Sequence, residues 1–326
     1  MSAAGTPTAT LALGSLRVSF ERGGASVEAV REVSLAIRAG EVLGVVGESG
    51  AGKTQAFMAT MGLLPPNARA SGSVRFEGEE ILGSAPRSLN RVRGSKLTMV
   101  FQDPLTSLTP HLKIGVQLAE VLVHHRGSTW ASAERAALSA LERVRVPQAQ
   151  RRLEQYPHEL SGGMRQRVMI GMSLLCEPSL LIADEPTSAL DVTVQAQIID
   201  LLRSLRLDSG LSIALVSHDL GVVAGLADRV AVMYAGRIVE SAGTAQLLRG
   251  PRHPYTALLL QCVPNLRAPR RARMPSLPGS ASSAAPLGPG CAFAPRCPRA
   301  SDRCRAERPE LRAIEHAAEL ACHHPI

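Results

Sequence analysis

Aromatic residues are scarce in this sequence: one Trp, three Tyr and five Phe, or 3% of 326 residues. That argues against the stacking platforms with which proteins grip single-stranded nucleic acid. Long hydrophobic runs are missing as well, because no uncharged apolar stretch reaches the roughly 18 residues that a membrane-spanning helix needs. Residues 1–10 lack a basic start followed by an apolar core, so no secretory signal is expected there. These absences predict a chain that stays in the cytoplasm and reaches any membrane through a partner. A hydrophobic content of 45% and a charged content of 20% are ordinary for a folded globular protein, which removes disorder as the default. The formal charge is +8, from 36 basic and 28 acidic residues. That surplus suits nucleic acid, an anionic membrane surface or nucleotide phosphates, and equally a solvated Arg-rich surface.

The chain is long enough for a full α/β core and a second small unit. Leu11 to Ala39 alternates apolar and polar residues around Gly23-Gly24, which predicts antiparallel strands. Glu41 to Val46 is a short apolar run that ends in a glycine-rich loop. A helix pattern follows from Lys53 to Leu64, with Pro65-Pro66 as its stop. More strand pattern occupies Gly72 to Ile81 and Leu97 to Phe101. From Asp103 to Tyr156 the character turns helical, with Trp130, Ala137, Leu138, Leu141 and Val144 near helical spacing and Pro147 closing the run. Leu180 to Ala183, Leu211 to Ser217 and Val230 to Met233 return to buried-strand composition, and alternating strands and helices predict a largely parallel sheet. Met274 to Gly290 is rich in Pro, Gly, Ser and Ala and predicts a linker. Arg267, Arg270, Arg271 and Arg273 form a basic run before it, read as a solvated face, with anionic lipid headgroups as the alternative.

Three motifs carry chemistry. Gly47-Glu48-Ser49-Gly50-Ala51-Gly52-Lys53-Thr54 fits G-x-x-x-x-G-K-[ST] between a strand and a helix. Its glycines let backbone N–H groups wrap phosphates, Lys53 reaches the β- and γ-phosphates, and Thr54 offers a hydroxyl to Mg²⁺. Leu180-Leu181-Ile182-Ala183-Asp184-Glu185 is an apolar strand ending in two carboxylates. Asp184 is placed to hold Mg²⁺ and Glu185 to polarise the attacking water. Leu160-Ser161-Gly162-Gly163-Met164-Arg165-Gln166-Arg167 puts a serine and two glycines at a helix start, an anion site. A chain with one phosphate loop needs a second phosphate-binding element only if two subunits pack head to tail, each covering the other's nucleotide.

In these motifs and their spacing the sequence resembles the ATPase subunits of ABC transporters, over roughly residues 11 to 260. The resemblance implies an α/β P-loop NTPase fold of the ABC type, with an antiparallel β subdomain, a helical subdomain at about 103–170, and ATP and Mg²⁺ as ligands. It further implies that Gln102 is the glutamine that senses the Mg²⁺–water site and links it to the membrane subunits. By the same resemblance Ser188-Ala189-Leu190-Asp191 is the loop that contacts the opposite subunit, and His218 the histidine that contacts the γ-phosphate. The aromatic that stacks adenine in many relatives has no clear counterpart: Phe20 and Val27 are the two candidates. Ala183 to Gln197, His253-Pro254-Tyr255-Thr256 and Gly290-Cys291-Ala292-Phe293-Ala294-Pro295-Arg296-Cys297-Pro298 narrow the resemblance to the dipeptide/oligopeptide importer group, and within it to the D-type ATPase. That implies a peripheral subunit on the cytoplasmic face of the bacterial inner membrane, with two membrane-spanning permease subunits and a second, homologous ATPase as partners. An extracytoplasmic solute-binding protein takes part indirectly, and no nucleic-acid partner is expected. Import of nickel or another small solute is the alternative, and a soluble ABC ATPase outside transport is the rival from another class.

Six cysteines are present, and Cys291, Cys297, Cys304 and Cys322 crowd the tail as C-x5-C-x6-C-x17-C. The expected organisation is therefore an ATPase domain at 11–260, a linker at 261–290 and a Cys-rich metal-binding extension at 291–326. Four thiolates suit a [4Fe–4S] cluster or a zinc site. Zinc favours short C-x2–4-C pairs, absent here, so the cluster is the expectation, Zn²⁺ the alternative, and reduced thiols packed in a small core the third reading. His323 and His324 stand beside Cys322 as replacement ligands. Cys176 and Cys262 sit in apolar sequence and are expected in the core.

Overall fold

The computed structural model describes residues 9–103, 107–188, 190–262 and 288–326. Most of the expected linker, the arginine run at 267–273 and Ala189 fall outside these. The strands in chain order are β1 (Ala9–Arg22), β2 (Ala25–Arg38), β3 (Val42–Val46), β4 (Ala68–Phe76), β5 (Glu79–Glu80) and β6 (Leu97–Val100). They continue as β7 (Leu180–Asp184), β8 (Ser212–Ser217), β9 (Arg229–Tyr234), β10 (Arg237–Gly243), β11 (Arg312–Ala313) and β12 (Glu319–Leu320). The chain divides into two compact units, one including Ile37–Glu41 and Gly83–Leu215, the other Leu11–Ala36, Val42–Leu82 and Val216–Ile326.

In the first unit β6 pairs in parallel with β7, in the register Leu97↔Leu180 to Val100↔Ala183. Every residue of β7 is buried, as the run of apolar residues in a parallel strand requires. The helices of this unit include Ile114–Arg126, Trp130–Arg143, Ala149–Leu153, Gly162–Leu174 and Val192–Ser209. The second of these starts where the Thr129 side chain accepts from Ser132 N, and it buries Ala133, Ala137 and Leu141 on one face. Trp130 does not share that face, contrary to expectation. It is exposed in the first turn, and its indole N–H donates to Glu134 Oε1 at 2.9 Å. Ala133 holds the place instead, packed with Ala119, Leu122 and Cys176 in one core cluster. Burial pushes the Cys176 thiol pKa up, as for an inert core cysteine.

In the second unit the antiparallel sheet runs in the order β2-β1-β4-β5. A separate run of strands has the order β11-β12-β10-β9-β3, with β3 and β9 parallel. The helix after the glycine loop spans Lys53–Thr60 and ends before Pro65-Pro66. Gly62, at φ +61°, ends it: Leu63 N donates to Met58 O at 2.9 Å and Gly62 N to Ala59 O at 3.0 Å, a Schellman stop. The glycine therefore terminates the helix before the prolines are reached. At the far edge, tail strand β12 pairs antiparallel with β10, Glu240 opposite Leu320 and Ser241 opposite Glu319. No described helix is long and apolar enough to cross a membrane.

Strand β3 is buried throughout, and its central Gly44 lies under the helix Leu220–Ala224. A Cβ there would stand 2.1 Å from Val223 Cγ1 and 3.2 Å from Ala227 Cβ. Gly44→Ala is expected to destabilise the protein by about 1–3 kcal/mol through overpacking, seen as a lower thermal midpoint. Adding Val223→Ala should recover part of the loss; no recovery in the double variant would place the strain elsewhere.

Candidate nucleotide site

The glycine loop is built by backbone passages that leave no room for side chains. A Cβ at Gly47 would lie 2.2 Å from Met233 O, and one at Gly52 2.3 Å from Ala29 O. Gly52, at φ +93°, precedes the helix as its N-cap, and a helix start is the end that favours an anion. Ala51 is pinned on both sides: its N–H donates to Glu48 O at 3.1 Å and its C=O accepts from Gly236 N at 3.0 Å. Ser49 and Gly50 form the exposed arc between these anchors. Lys53 is buried and lies along the loop, its Nζ donating to Gly47 O at 2.7 Å and Glu48 O at 3.1 Å. Thr54 follows at the second helical position.

In the other unit the register of β6 and β7 does the positioning. Val100 lies opposite Ala183, so Gln102 and Glu185, each two residues further on, come side by side. Gln102 Nε2 donates to Glu185 Oε2 at 3.0 Å. Asp184 is the last residue of β7 and buried, while Glu185 is half-buried and turns away at φ +47°. A non-glycine residue there carries about 1–3 kcal/mol of strain. The turn that follows holds it, since Ser188 N and Oγ both donate to Glu185 O, at 3.3 and 3.2 Å. The donors expected around Mg²⁺ (the Thr54 hydroxyl, the Asp184 carboxylate and the Gln102 amide oxygen) are all hard oxygens, the kind that ion takes.

The signature segment and the loop before the helix Val192–Ser209 are brought together. Ser161 caps the helix Gly162–Leu174, its Oγ accepting from Met164 N at 3.3 Å. Asp191 caps the other helix, Oδ1 accepting from Val194 N at 3.0 Å. Gly163 is where they meet, because a Cβ there would be 2.7 Å from Val194 Cγ1. Ser161 and Gly162 stay exposed. The two arginines of the segment have structural work. Arg165 donates to Pro157 O at 2.7 Å, and Arg167 to Val144 O and Gln197 Oε1, both at 3.0 Å. His218 is exposed just beyond β8, beside Asp219, whose carboxylate caps the next helix through Gly221 N at 2.7 Å.

The metal expectation for the tail is not supported. Cys291, Cys297, Cys304 and Cys322 do line one cavity, of about 10 Å³, together with His253, Phe293, His323 and His324. Yet no group of three or more His, Cys, Asp or Glu among the described residues stands so as to hold a metal ion. The side chains bond elsewhere: His323 Nε2 meets Glu307 O at 3.0 Å, His324 Nε2 meets Ser301 Oγ at 2.7 Å, and Cys322 Sγ accepts from His324 N at 3.3 Å. Burial raises the pKa of Cys291 and Cys297 and pushes that of Cys322 to about 11. No [4Fe–4S] or zinc chemistry is derived from this geometry.

Sequence reasoning missed one element of the site. Glu48, treated only as a loop position, is held by three residues from later in the chain or loop: Tyr255, Lys53 and Arg296. The motifs His253 to Thr256 and Gly290 to Pro298 were the only signal that these positions matter.

Comparison with known proteins agrees with this layout. Residues 30–188 match the ABC transporter family, and residues 239–304 the C-terminal region of oligopeptide/dipeptide transporters. A solved ATP-binding cassette, dimeric and bound to ADP and Pi after hydrolysis, superposes with a TM-score of 0.65 at 26% identity, over 72% of this chain and 98% of its own. The oligopeptide transport ATP-binding protein OppD of Salmonella typhimurium is 48% identical over 97% of this chain and 94% of its own. The dipeptide transport ATP-binding protein DppD of Escherichia coli is 41% identical over 98% and 97%. Fold and site define an ABC-type ATPase, the class whose ligands are ATP and Mg²⁺. The chain belongs to the ABC transporter ATP-binding family, in its oligopeptide/dipeptide group of D-type subunits.

His253 gives the site an acid limit. It is 1% exposed and caps the helix Pro254–Gln261, Nδ1 accepting from Tyr255 N at 3.0 Å. Burial pushes its pKa from 6.5 down to about 4. The folded state therefore keeps it neutral, while the unfolded chain protonates it below about 6.5. Its share of stability is whole above that pH and is lost as pH falls towards 4, by up to about 3 kcal/mol. Denaturant midpoints at pH 7, 5.5 and 4.5 should fall less for His253→Asn, which keeps a capping acceptor without a titrating ring. Equal losses in the two proteins would clear His253 of the effect.

Proposed function

We propose that this protein hydrolyses ATP to energise a peptide importer, as the D-type member of a pair of non-identical ATPases. The observation that carries the reading is the joining of Gln102 to Glu185 at the end of an apolar strand, in a chain that also has the glycine loop and the signature. Lys53 and the loop amides bind the β- and γ-phosphates, and the Gly47 to Thr54 arc cradles them. Thr54, Asp184 and Gln102 would hold Mg²⁺, which when bound neutralises charge on the phosphate oxygens. Glu185 takes the proton of the attacking water, with Gln102 fixing its carboxylate. His218 donates to the γ-phosphate as charge develops. Ser161, Gly162 and Gly163 cover the γ-phosphate bound by the partner ATPase, and Asp191 lies at that subunit boundary.

The exposure of Ser161 and Gly162 favours a head-to-tail pair, as does the dimeric state of the cassette in the solved relative. Two membrane-spanning permease subunits receive the motion at the cytoplasmic face of the inner membrane, through the helical region after Gln102. An extracytoplasmic solute-binding protein delivers the cargo. Di- and oligopeptides are the substrates that the relatives' names and the C-terminal region favour. The domain reading is a cassette at 11–260 and an extension at 291–326.

The test is ATP turnover by the assembled transporter in proteoliposomes, with uptake of a labelled tripeptide and of Ni²⁺ measured in parallel. Glu185→Gln should still bind ATP and should lower turnover by about 100- to 10,000-fold, the range for loss of a general base. Lys53→Ala should abolish ATP binding. Unchanged turnover in Glu185→Gln would remove that residue as base. ATP-driven uptake of Ni²⁺ without tripeptide would replace the substrate.

A further inference from the structure

One residue of the phosphate loop is held by all three of its polar groups. Glu48 N donates to Tyr255 Oη at 3.0 Å, and Glu48 O accepts from Lys53 Nζ at 3.1 Å. Its carboxylate takes a two-pronged bond from the tail: Arg296 NH2 to Oε1 at 2.8 Å and NH1 to Oε2 at 2.9 Å. The side chains of this pair are only 8% and 21% exposed. Arg296 comes from the cysteine-bearing loop, 248 positions further along the chain. It is itself fixed, because NH1 also donates to Tyr234 Oη at 3.2 Å and Cζ lies 5.7 Å from that ring's centroid. Tyr234, Tyr255 and Phe293 pack at mutual centroid distances of 4.7, 5.2 and 5.4 Å. The arginine is thus held in place on an aromatic base.

Glu48 is a poor choice for a phosphate loop if its charge is left alone. A carboxylate beside a triphosphate repels it, and a half-buried one is screened little by salt. A guanidinium fork cancels that charge and fixes the direction of the side chain at once, which a lysine does less well. The exposed arc Ser49–Gly50 starts from this post. We propose that Arg296 is a positioning residue for nucleotide binding: by clamping Glu48 it sets the first turn of the phosphate loop, so the C-terminal extension tunes ATP affinity. This rests on the ATPase reading above and adds the extension to its nucleotide site.

The experiment is a double-substitution cycle on the full-length subunit, with Mg²⁺–ATP affinity read by calorimetry and folding checked by circular dichroism. Arg296→Ala should weaken ATP binding about tenfold, Arg296→Lys less, and Glu48→Ala by no more than about threefold. In the Glu48→Ala background, Arg296→Ala should cost little more. In the assembled transporter the change should appear in KM for ATP, with kcat altered less than threefold. A full tenfold cost of Arg296→Ala without Glu48, or no cost in either background, would overturn the proposal. If Arg296→Ala fails to fold, Glu48→Ala and Arg296→Lys still decide, since a clamp predicts a Lys penalty that vanishes in the Glu48→Ala background. If wild type binds no ATP, the ATPase reading fails instead.

Discussion

The nucleotide loop depends on a backbone passage too narrow for a side chain. Gly47 runs under the Met233 carbonyl and Gly52 under that of Ala29, where a Cβ would come within 2.2 and 2.3 Å of oxygen. Between those pinch points the chain has little freedom left, and what it has is removed by hydrogen bonds to Glu48 and Ala51. The benefit is preorganisation. A loop held in one path needs little reordering when a phosphate arrives, and electrostatic stabilisation is worth most when the donors are fixed beforehand. The loop is therefore the product of its neighbours β9 and β2 as much as of its own glycines.

A different device positions the carboxylates. Parallel pairing of β6 and β7 puts the residues two places beyond Val100 and Ala183 at the same level, and Gln102 reaches Glu185 for that reason alone. A one-residue slip of either strand would turn its side chain to the opposite face and part the pair. Glu185 then leaves the strand in a strained conformation held by Ser188. That turn leads on to Asp191, the cap of the next helix, and thence to Val194 against Gly163. Contacts thus link the turn after the water-activating candidate, the cap Asp191 and the signature segment within one unit.

What could be read from sequence follows from how local each cause is. The residues of the glycine loop, of the Asp184-Glu185 pair and of the segment at Ser161 stand within a few positions of one another, so their patterns show even though distant strands complete the sites. Trp130 misled because spacing alone cannot tell the first turn of a helix from its buried face. Arg296 and Glu48 were invisible as a pair. Neither residue type is unusual in its segment, and the chain between them exceeds any window over which periodicity operates. The tail cysteines were legible as a group but not as chemistry. Spacing brought four sulfurs to one small cavity, whereas the chemistry there is set by the groups around them, which spacing does not show.

A segment of 36 residues beyond the linker must offset its own ordering entropy. Contacts with the cassette contribute to this. Strand β12 extends the sheet at β10, Phe293 fills the aromatic base beside Tyr255, and Arg308 meets Glu32 at 3.0 Å. The buried Glu240 adds to this by accepting from Arg252 N and His253 N, which fixes the helix carrying Tyr255. Each of these is ordinary packing taken alone. Their common direction is not ordinary, because Tyr255, Phe293 and Arg296 lead to the same loop residue or to its partners. An extension that served only stability could anchor anywhere on the sheet edge, whereas this one ends on the second residue of the phosphate loop.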